Sequence, residues 1–225
     1  MNLYDRQRSG NCYRVRLMLA LLGLAYERIP IDTAGGASIF HGPTDLGLPD
    51  HPDQRPIDGT AGSASNRSDW FLKMNPRGQV PVLEDDGQVI WDSTAIVVYL
   101  ARKFGGDSWL PADPLGEARV VQWLVLSQNE LLYGLARCRG IIEVGRPGNL
   151  AECQALGRVG LGVMEDRLRH HDWLALDRRS IADVACFPYV ALAPQLGVPL
   201  ENDFPAVQRW VERVRGLPMF VHHYG

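Results

Sequence analysis

Apolar positions along the chain fall into two regimes. Up to about residue 104, short strand-like runs alternate with single helical stretches, and beyond residue 112 only helical patterns remain. Asn2 to Asp5 reads as a short strand. From Asn11 to Leu22 the residues Val15, Met18, Leu19 and Leu22 form a helical stripe that Gly23 ends. A second strand covers about Tyr26 to Ile31. The stretch from Thr33 to Asn66 is dense in Gly, Pro, Asp and Ser and has no sustained period, so it reads as a long loop with room for only a turn of helix. Ser68 then caps a short helix over Trp70 to Met74. Strands over Val80–Glu84 and Gln88–Trp91 flank Asp85-Asp86-Gly87, a tight hairpin signal. Asp92 or Ser93 caps the next helix, which reaches about Lys103 with Ile96, Val97, Leu100 and Phe104 on its buried side.

Helical patterns then run from about Pro114 to Arg139, Leu150 to His170, Ser180 to Leu192 and Phe204 to Arg215. Pro114 suits a first helical turn, and Ser180-Ile181-Ala182-Asp183 has the serine-then-acid spacing that satisfies free amides at a helix start. The expected organisation is a mixed α/β domain over residues 1–104, carrying an insertion at about 33–69, followed by an all-helical domain over 112–225.

Composition narrows the chemistry. A chain of 225 residues with 46% apolar and 22% charged residues is an ordinary globular protein, long enough for two cores. The net charge of -3 gives no electrostatic reason to expect a nucleic-acid partner, and no segment approaches the ~20 apolar residues of a membrane span. Arg14 and Arg16 ahead of LMLALLGLA imitate a secretory leader, but Asp5 in the would-be basic region, the short apolar run and the strand that follows argue for a cytoplasmic protein. Cys12, Cys138, Cys153 and Cys186 are far apart and form neither a disulfide framework nor a zinc pattern, which fits a reducing compartment. His170-His171 and His222-His223 are adjacent pairs that do not share a helix face, so no metal is expected.

Pro81 stands between Val80 and Val82 at the start of a strand that must pair in a hairpin. Having no amide, it belongs at the strand's first position or on an edge, and a cis Val80-Pro81 bond would leave the backbone groups of Val80 open to a ligand. Asn75-Pro76-Arg77-Gly78-Gln79-Val80-Pro81-Val82-Leu83, followed by Asp92-Ser93-Thr94-Ala95-Ile96 and Tyr99-Leu100, resembles the thioredoxin-like amino-terminal domain of cytosolic glutathione transferases. Ser180–Asp183 resembles the capping box of their helical domain, and Phe204-Pro205-Ala206-Val207-Gln208-Arg209-Trp210 resembles their last helix. The resemblance covers nearly the whole chain apart from Thr33 to about Asp69. It implies the fold of that family, an α/β thioredoxin-like domain plus an all-α bundle, acting as a homodimer on glutathione and a small electrophile.

The resemblance also implies a site. The Val80 backbone beside Pro81 would pair with the cysteinyl part of glutathione, and Ser93 at a helix start would hold the γ-glutamyl carboxylate. Asp92 would accept from the γ-glutamyl ammonium, where family members more often have Glu, and Gln79 matches a position that reaches the glycyl end. Activity would depend on lowering the pKa of the thiol, because the thiolate is the nucleophile. Ser9 heads the candidates for that task, in a local text, Arg8-Ser9 with Arg14-Val15-Arg16, that is most similar to zeta-class members; Asn11 matches an asparagine of the bacterial nu class. Cys12 is a poorer match to a catalytic cysteine, and Tyr4 and Tyr13 are weaker matches to a tyrosine-type activator. Tyr133 and Arg137, four apart on one helix face, are the candidates for the second substrate. The alternatives are a glutathione-dependent isomerase of the maleylacetoacetate type, a disulfide-bond reductase, and a non-catalytic scaffold.

Overall fold

The computed structural model describes residues 1–33 and 64–223. Its sheet has five strands in the order β3-β2-β1-β4-β5. The central β1 (Asn2–Asp5) leads through α1 (Gly10–Leu21) to β2 (Glu27–Asp32), which lies parallel to it. On its other side β1 pairs antiparallel with β4 (Val82–Asp85), and β4 folds back as β5 (Gln88–Trp91). Asp86 and Gly87 both take positive φ, 49° and 73°, the backbone that a two-residue hairpin turn of the favoured hand requires. The strand β4 begins at Val82 rather than at Val80, because Pro81 has no amide to give the ladder.

Part of the expected loop is structured: β3 (Ala64–Ser65) adds in parallel to β2, and α2 (Asp69–Met74) follows with Ser68 at its N-cap. The rest of that loop, and the turn of helix allowed within it, lie outside the described residues. Beyond β5 come α3 (Ser93–Leu100), which continues in wider π turns over Ala101–Gly105, and then helices only. The first is one long rod: α4 (Pro114–Leu126), π turns over Ser127–Ala136, and α5 (Arg137–Val144). It runs past the expected end at Arg139 and stops where Gly145 turns left-handed, at φ 69°. Then follow α6 (Leu150–Leu168), α7 (Ile181–Val190), α8 (Leu200–Asp203) and α9 (Pro205–Arg215).

The start of α7 has the expected capping box. Ser180 Oγ accepts from the Ala182 amide at 3.2 Å while Asp183 Oδ2 accepts from the Ser180 amide at 2.9 Å. The other oxygen of Asp183 accepts from Trp210 Nε1 of α9 at 2.9 Å and from the Leu174 amide at 3.2 Å, all in a buried setting.

The helix α1 packs against α3 and α7, and each residue from Cys12 to Leu19 is buried. The two arginines that imitate a leader therefore lie inside the protein. Arg16 forms a buried pair with Asp5 at 2.7 and 2.9 Å. Arg14 donates to Ser93 Oγ at 2.9 Å, Thr94 Oγ1 at 3.1 Å, Ser127 Oγ at 2.9 Å and the Ala185 carbonyl at 3.1 Å. One guanidinium thus fastens α1 to α3, to the long rod and to α7, and so joins the sheet-bearing half to the helical half.

Candidate active site

A cleft of about 170 Å³ opens where the start of α1 faces both the loop before β4 and the long rod. Ser9 is the N-cap of α1, with extended backbone (φ -77°, ψ 124°), and its Oγ accepts from the Cys12 amide at 3.2 Å. That bond uses a lone pair and leaves the hydroxyl proton to donate elsewhere, which is what a thiolate stabiliser requires. Asn11 lies on the same rim, and its Oδ1 accepts from Tyr189 Oη of α7 at 3.3 Å. The close approach of Tyr189 depends on Gly10: a Cβ there would stand 2.6 Å from the Tyr189 Cε1 and 2.8 Å from Cζ. Gly10→Ala is expected to lower the unfolding free energy by about 1–3 kcal/mol, measured by urea denaturation, because a buried ring must shift. An unchanged midpoint would show that the ring gives way freely.

The facing wall is the loop of residues 75–81. Asn75 folds it: Oδ1 accepts from the Arg77 amide at 3.0 Å and Nδ2 donates to the Gln79 carbonyl at 2.7 Å. Buried Asn66 adds a bond from Nδ2 to the Gly78 carbonyl at 2.6 Å. Val80-Pro81 is cis, and Gln79 and Val80 line the same cleft as Ser9, Gly10 and Asn11.

Asp92 and Ser93, at the start of α3, do not line that cleft, and neither does Pro81. Of the two possible caps it is Asp92 that serves, its Oδ1 accepting from the Thr94 amide at 2.9 Å, while its other oxygen pairs with Arg77 at 3.2 Å. Its backbone is held at φ 74°, ψ 124°, a conformation that costs a residue with a Cβ about 1–3 kcal/mol and that clusters at ligand sites. Ser93 is not the cap; its buried hydroxyl accepts from Arg14 and is fixed in place by it.

Several sequence candidates stand elsewhere. Cys12 is fully buried, with Sγ accepting from the Arg6 amide at 3.4 Å, and burial pushes its thiol far above the usual range, so it offers no nucleophile. Tyr4 donates to Glu84 at 3.0 Å and Tyr13 to the Val221 carbonyl at 2.8 Å, which leaves neither hydroxyl aimed at the cleft. Tyr133 and Arg137 do not line the cleft: the face of the rod that does carries Ala136, Arg139, Gly140 and Glu143, about one turn further along.

Sequence reasoning missed Tyr189 and the arginines Arg6, Arg8, Arg139 and Arg146, all of which line the cleft. Arg139 Nε donates to Glu143 at 3.0 Å and Nη1 to the Arg8 carbonyl at 2.9 Å, and Arg8 itself pairs with Glu143 at 3.2 Å. Burial works to raise the Glu143 carboxyl, but the two guanidiniums hold it below its ordinary value. No sequence signal distinguishes these arginines from surface ones, because their convergence depends on how the rod docks. Among the described residues no group of His, Cys, Asp and Glu could hold a metal ion.

Residues 8–103 match the family model of the glutathione S-transferase N-terminal domain, and residues 150–218 match that of the C-terminal domain. The chain is 34% identical over 175 residues to glutathione S-transferase 1 of Manduca sexta, covering 75% of this chain and 79% of that one. It is 28% identical over 226 residues to a maleylacetoacetate isomerase of Pseudomonas aeruginosa, covering 98% and 93%. Among solved structures, a glutathione S-transferase from Pseudomonas fluorescens superposes with a TM-score of 0.79 at 32% identity, over 100% of this chain and 98% of that one. The sheet and helices described above are thus a thioredoxin-like amino-terminal domain and a helical carboxy-terminal domain, and the chain belongs to the glutathione S-transferase family.

Proposed function

We propose that this glutathione transferase binds glutathione between the start of α1 and the loop before β4, and that Ser9 activates its thiol for attack on a small electrophile. The observation that carries this reading is the geometry of Ser9: its oxygen is occupied by the helix amide, so its proton is available to a sulfur lying opposite Val80. Asn11 and the positive end of α1 add to the stabilisation of the thiolate. Val80 offers its backbone to the cysteinyl unit and Gln79 reaches the glycyl end. Ser93, oriented by Arg14, and strained Asp92 take the γ-glutamyl carboxylate and ammonium. The thiol proton passes to solvent, and the sulfur lone pair forms a carbon–sulfur bond. With an aryl chloride the carbon–chlorine pair departs on chloride, so no redox partner enters the balance.

The same reading takes residues 1–104 as the glutathione-binding domain and 112–225 as the helical domain, paired in a homodimer in the cytoplasm. Four free, buried cysteines support a reducing compartment, and exposed Val121 and Val125, one turn apart on α4, support a buried subunit face. Similarity to maleylacetoacetate isomerases along nearly the whole chain supports a second reading, glutathione-dependent isomerisation. Against it, Ser9-Gly10-Asn11 keeps only the first of the serine-serine-cysteine residues found in zeta-class members. Turnover of an activated aryl chloride, a disulfide and a maleyl substrate, each with glutathione, tests the choice. The aryl chloride is expected to be conjugated faster than the others react, and the absence of glutathione-dependent turnover with all three would leave only a binding role.

A further inference from the structure

We infer that Tyr189 of α7 is a positioning residue for the thiolate: its hydroxyl engages the oxygen of the Asn11 side chain, so that the amide presents Nδ2 to the sulfur. The inference rests on the glutathione reading above and deepens it by saying how the second donor beside Ser9 is aimed. Asn11 stands in the first turn of α1, two residues after the Ser9 cap, and lines the cleft together with Ser9 and Tyr189. A side-chain amide carries an acceptor and a donor on one carbon, and only the donor half stabilises a thiolate. Free to rotate, it would show the sulfur either half. Tyr189 Oη donates to Asn11 Oδ1 at 3.3 Å, which commits the acceptor half and leaves the donor half for the cleft.

Packing holds the ring where it can do this. Arg14 Nε donates to the Ala185 carbonyl at 3.1 Å. Tyr189 follows Ala185 by one turn of α7, and Asn11 precedes Arg14 by about one turn of α1. The two bonds are therefore successive rungs between the same two helices, and the buried guanidinium sets the register of the second. Gly10 admits the hydroxyl, since a Cβ there would stand 3.0 Å from Oη. Burial raises the Tyr189 hydroxyl above its ordinary pKa, against the pull of Arg14, Arg139 and Arg146 and with a smaller push from Cys12. The hydroxyl thus keeps its proton through the range in which a thiol ordinarily titrates, and remains a donor to Asn11 there.

The test is a double-mutant cycle on the pKa of the thiol of bound glutathione, read by ultraviolet titration of the saturated complex. Asn11→Ala is expected to raise that pKa by about one unit, through the loss of one donor to a charged acceptor. Tyr189→Phe keeps the ring against Gly10 and removes only the hydroxyl. It should raise the pKa by about half a unit or more in the wild-type background and by nothing further in Asn11→Ala. A Tyr189→Phe complex that titrates like the wild type would overturn the inference. So would equal shifts from Tyr189→Phe in both backgrounds, because the hydroxyl would then act on the sulfur without Asn11. A fall in pKa in Asn11→Ala would overturn it too, since the amide would be facing the thiolate with its oxygen. If Ser9→Ala leaves the titration unmoved, the Ser9 reading fails while the cycle between Asn11 and Tyr189 still decides this one. No saturable binding of glutathione would overturn both.

Discussion

Ser9→Ala is expected to raise the pKa of the thiol of bound glutathione by ~1–2 units, because a hydrogen bond to a charged acceptor contributes ~1.5–3 kcal/mol and each unit corresponds to ~1.4 kcal/mol. At a pH below the raised value, conjugation should fall ~10–100-fold, with most of the loss in kcat, since the thiolate fraction falls while the contacts to the tripeptide remain. Ultraviolet titration of the thiolate in the saturated complex reads the effect directly. Ser9 also caps α1, so the alanine variant should lose ~1 kcal/mol of stability as well. Ser9→Gly separates the two roles: glycine costs the cap only a few tenths of a kcal/mol yet removes the donor, so the thiol pKa should rise as in the alanine variant. Cys12→Ala should leave the titration where it was, because a thiol with no exposed surface meets no ligand. If Cys12→Ala moves the titration and Ser9→Ala does not, the chemistry is that of a cysteine.

Asp183→Ala is expected to cost about 3–5 kcal/mol of unfolding free energy, read from the urea midpoint. The carboxylate accepts from the Ser180 amide, the Leu174 amide and Trp210 Nε1, and all three donors are buried with it. Truncation deprives each of a partner at ~1–3 kcal/mol before any rescue by water, and the start of α7 loses its reciprocal cap. Trp210 is the largest fully buried side chain, so the damage reaches the contact between α7 and α9 as well as one helix end. Asp183→Asn, which keeps one accepting oxygen, should lose less. A cost below about 1 kcal/mol for the alanine variant would mean that the network is redundant.

The parts of this fold legible in the sequence were those with a local cause. The hairpin was written in Asp85-Asp86-Gly87, the capping box in Ser180 to Asp183, and the rod's first turn in Pro114, because each residue there answers a backbone demand of its immediate neighbours. The strand β3 was not legible, since two residues have no period and the pairing with β2 supplies all of its order. The helix α1 was found, but its stripe of Val15, Met18, Leu19 and Leu22 understated it. A helix packed against both α3 and α7 buries Tyr13, Arg14, Arg16 and Leu17 too, and amphipathic counting assumes a wet face.

The site divides along the same line. Ser9, Asn11, Gln79 and Val80 could be brought to one cleft from sequence because the helix start and the loop before the hairpin are local constructions. Tyr133 and Arg137 share a helix face, but which stretch of the rod meets the cleft is set by its packing on α6 and α7 and not by its own periodicity. Arg14 carried no signal of its role: its acceptors Ser93, Ser127 and Ala185 are distant in sequence and neutral, so no charge pattern announced it.

The central claim is that the cleft between Ser9 and Val80 holds glutathione, and a calorimetric titration of the wild-type protein with glutathione tests it most directly. One site per chain is expected, saturating within the ~1 μM–1 mM range of ordinary substrate constants, and weakened about tenfold or more in Ser93→Ala as the γ-glutamyl contact is lost. A titration that stays flat well above ~1 mM would contradict it.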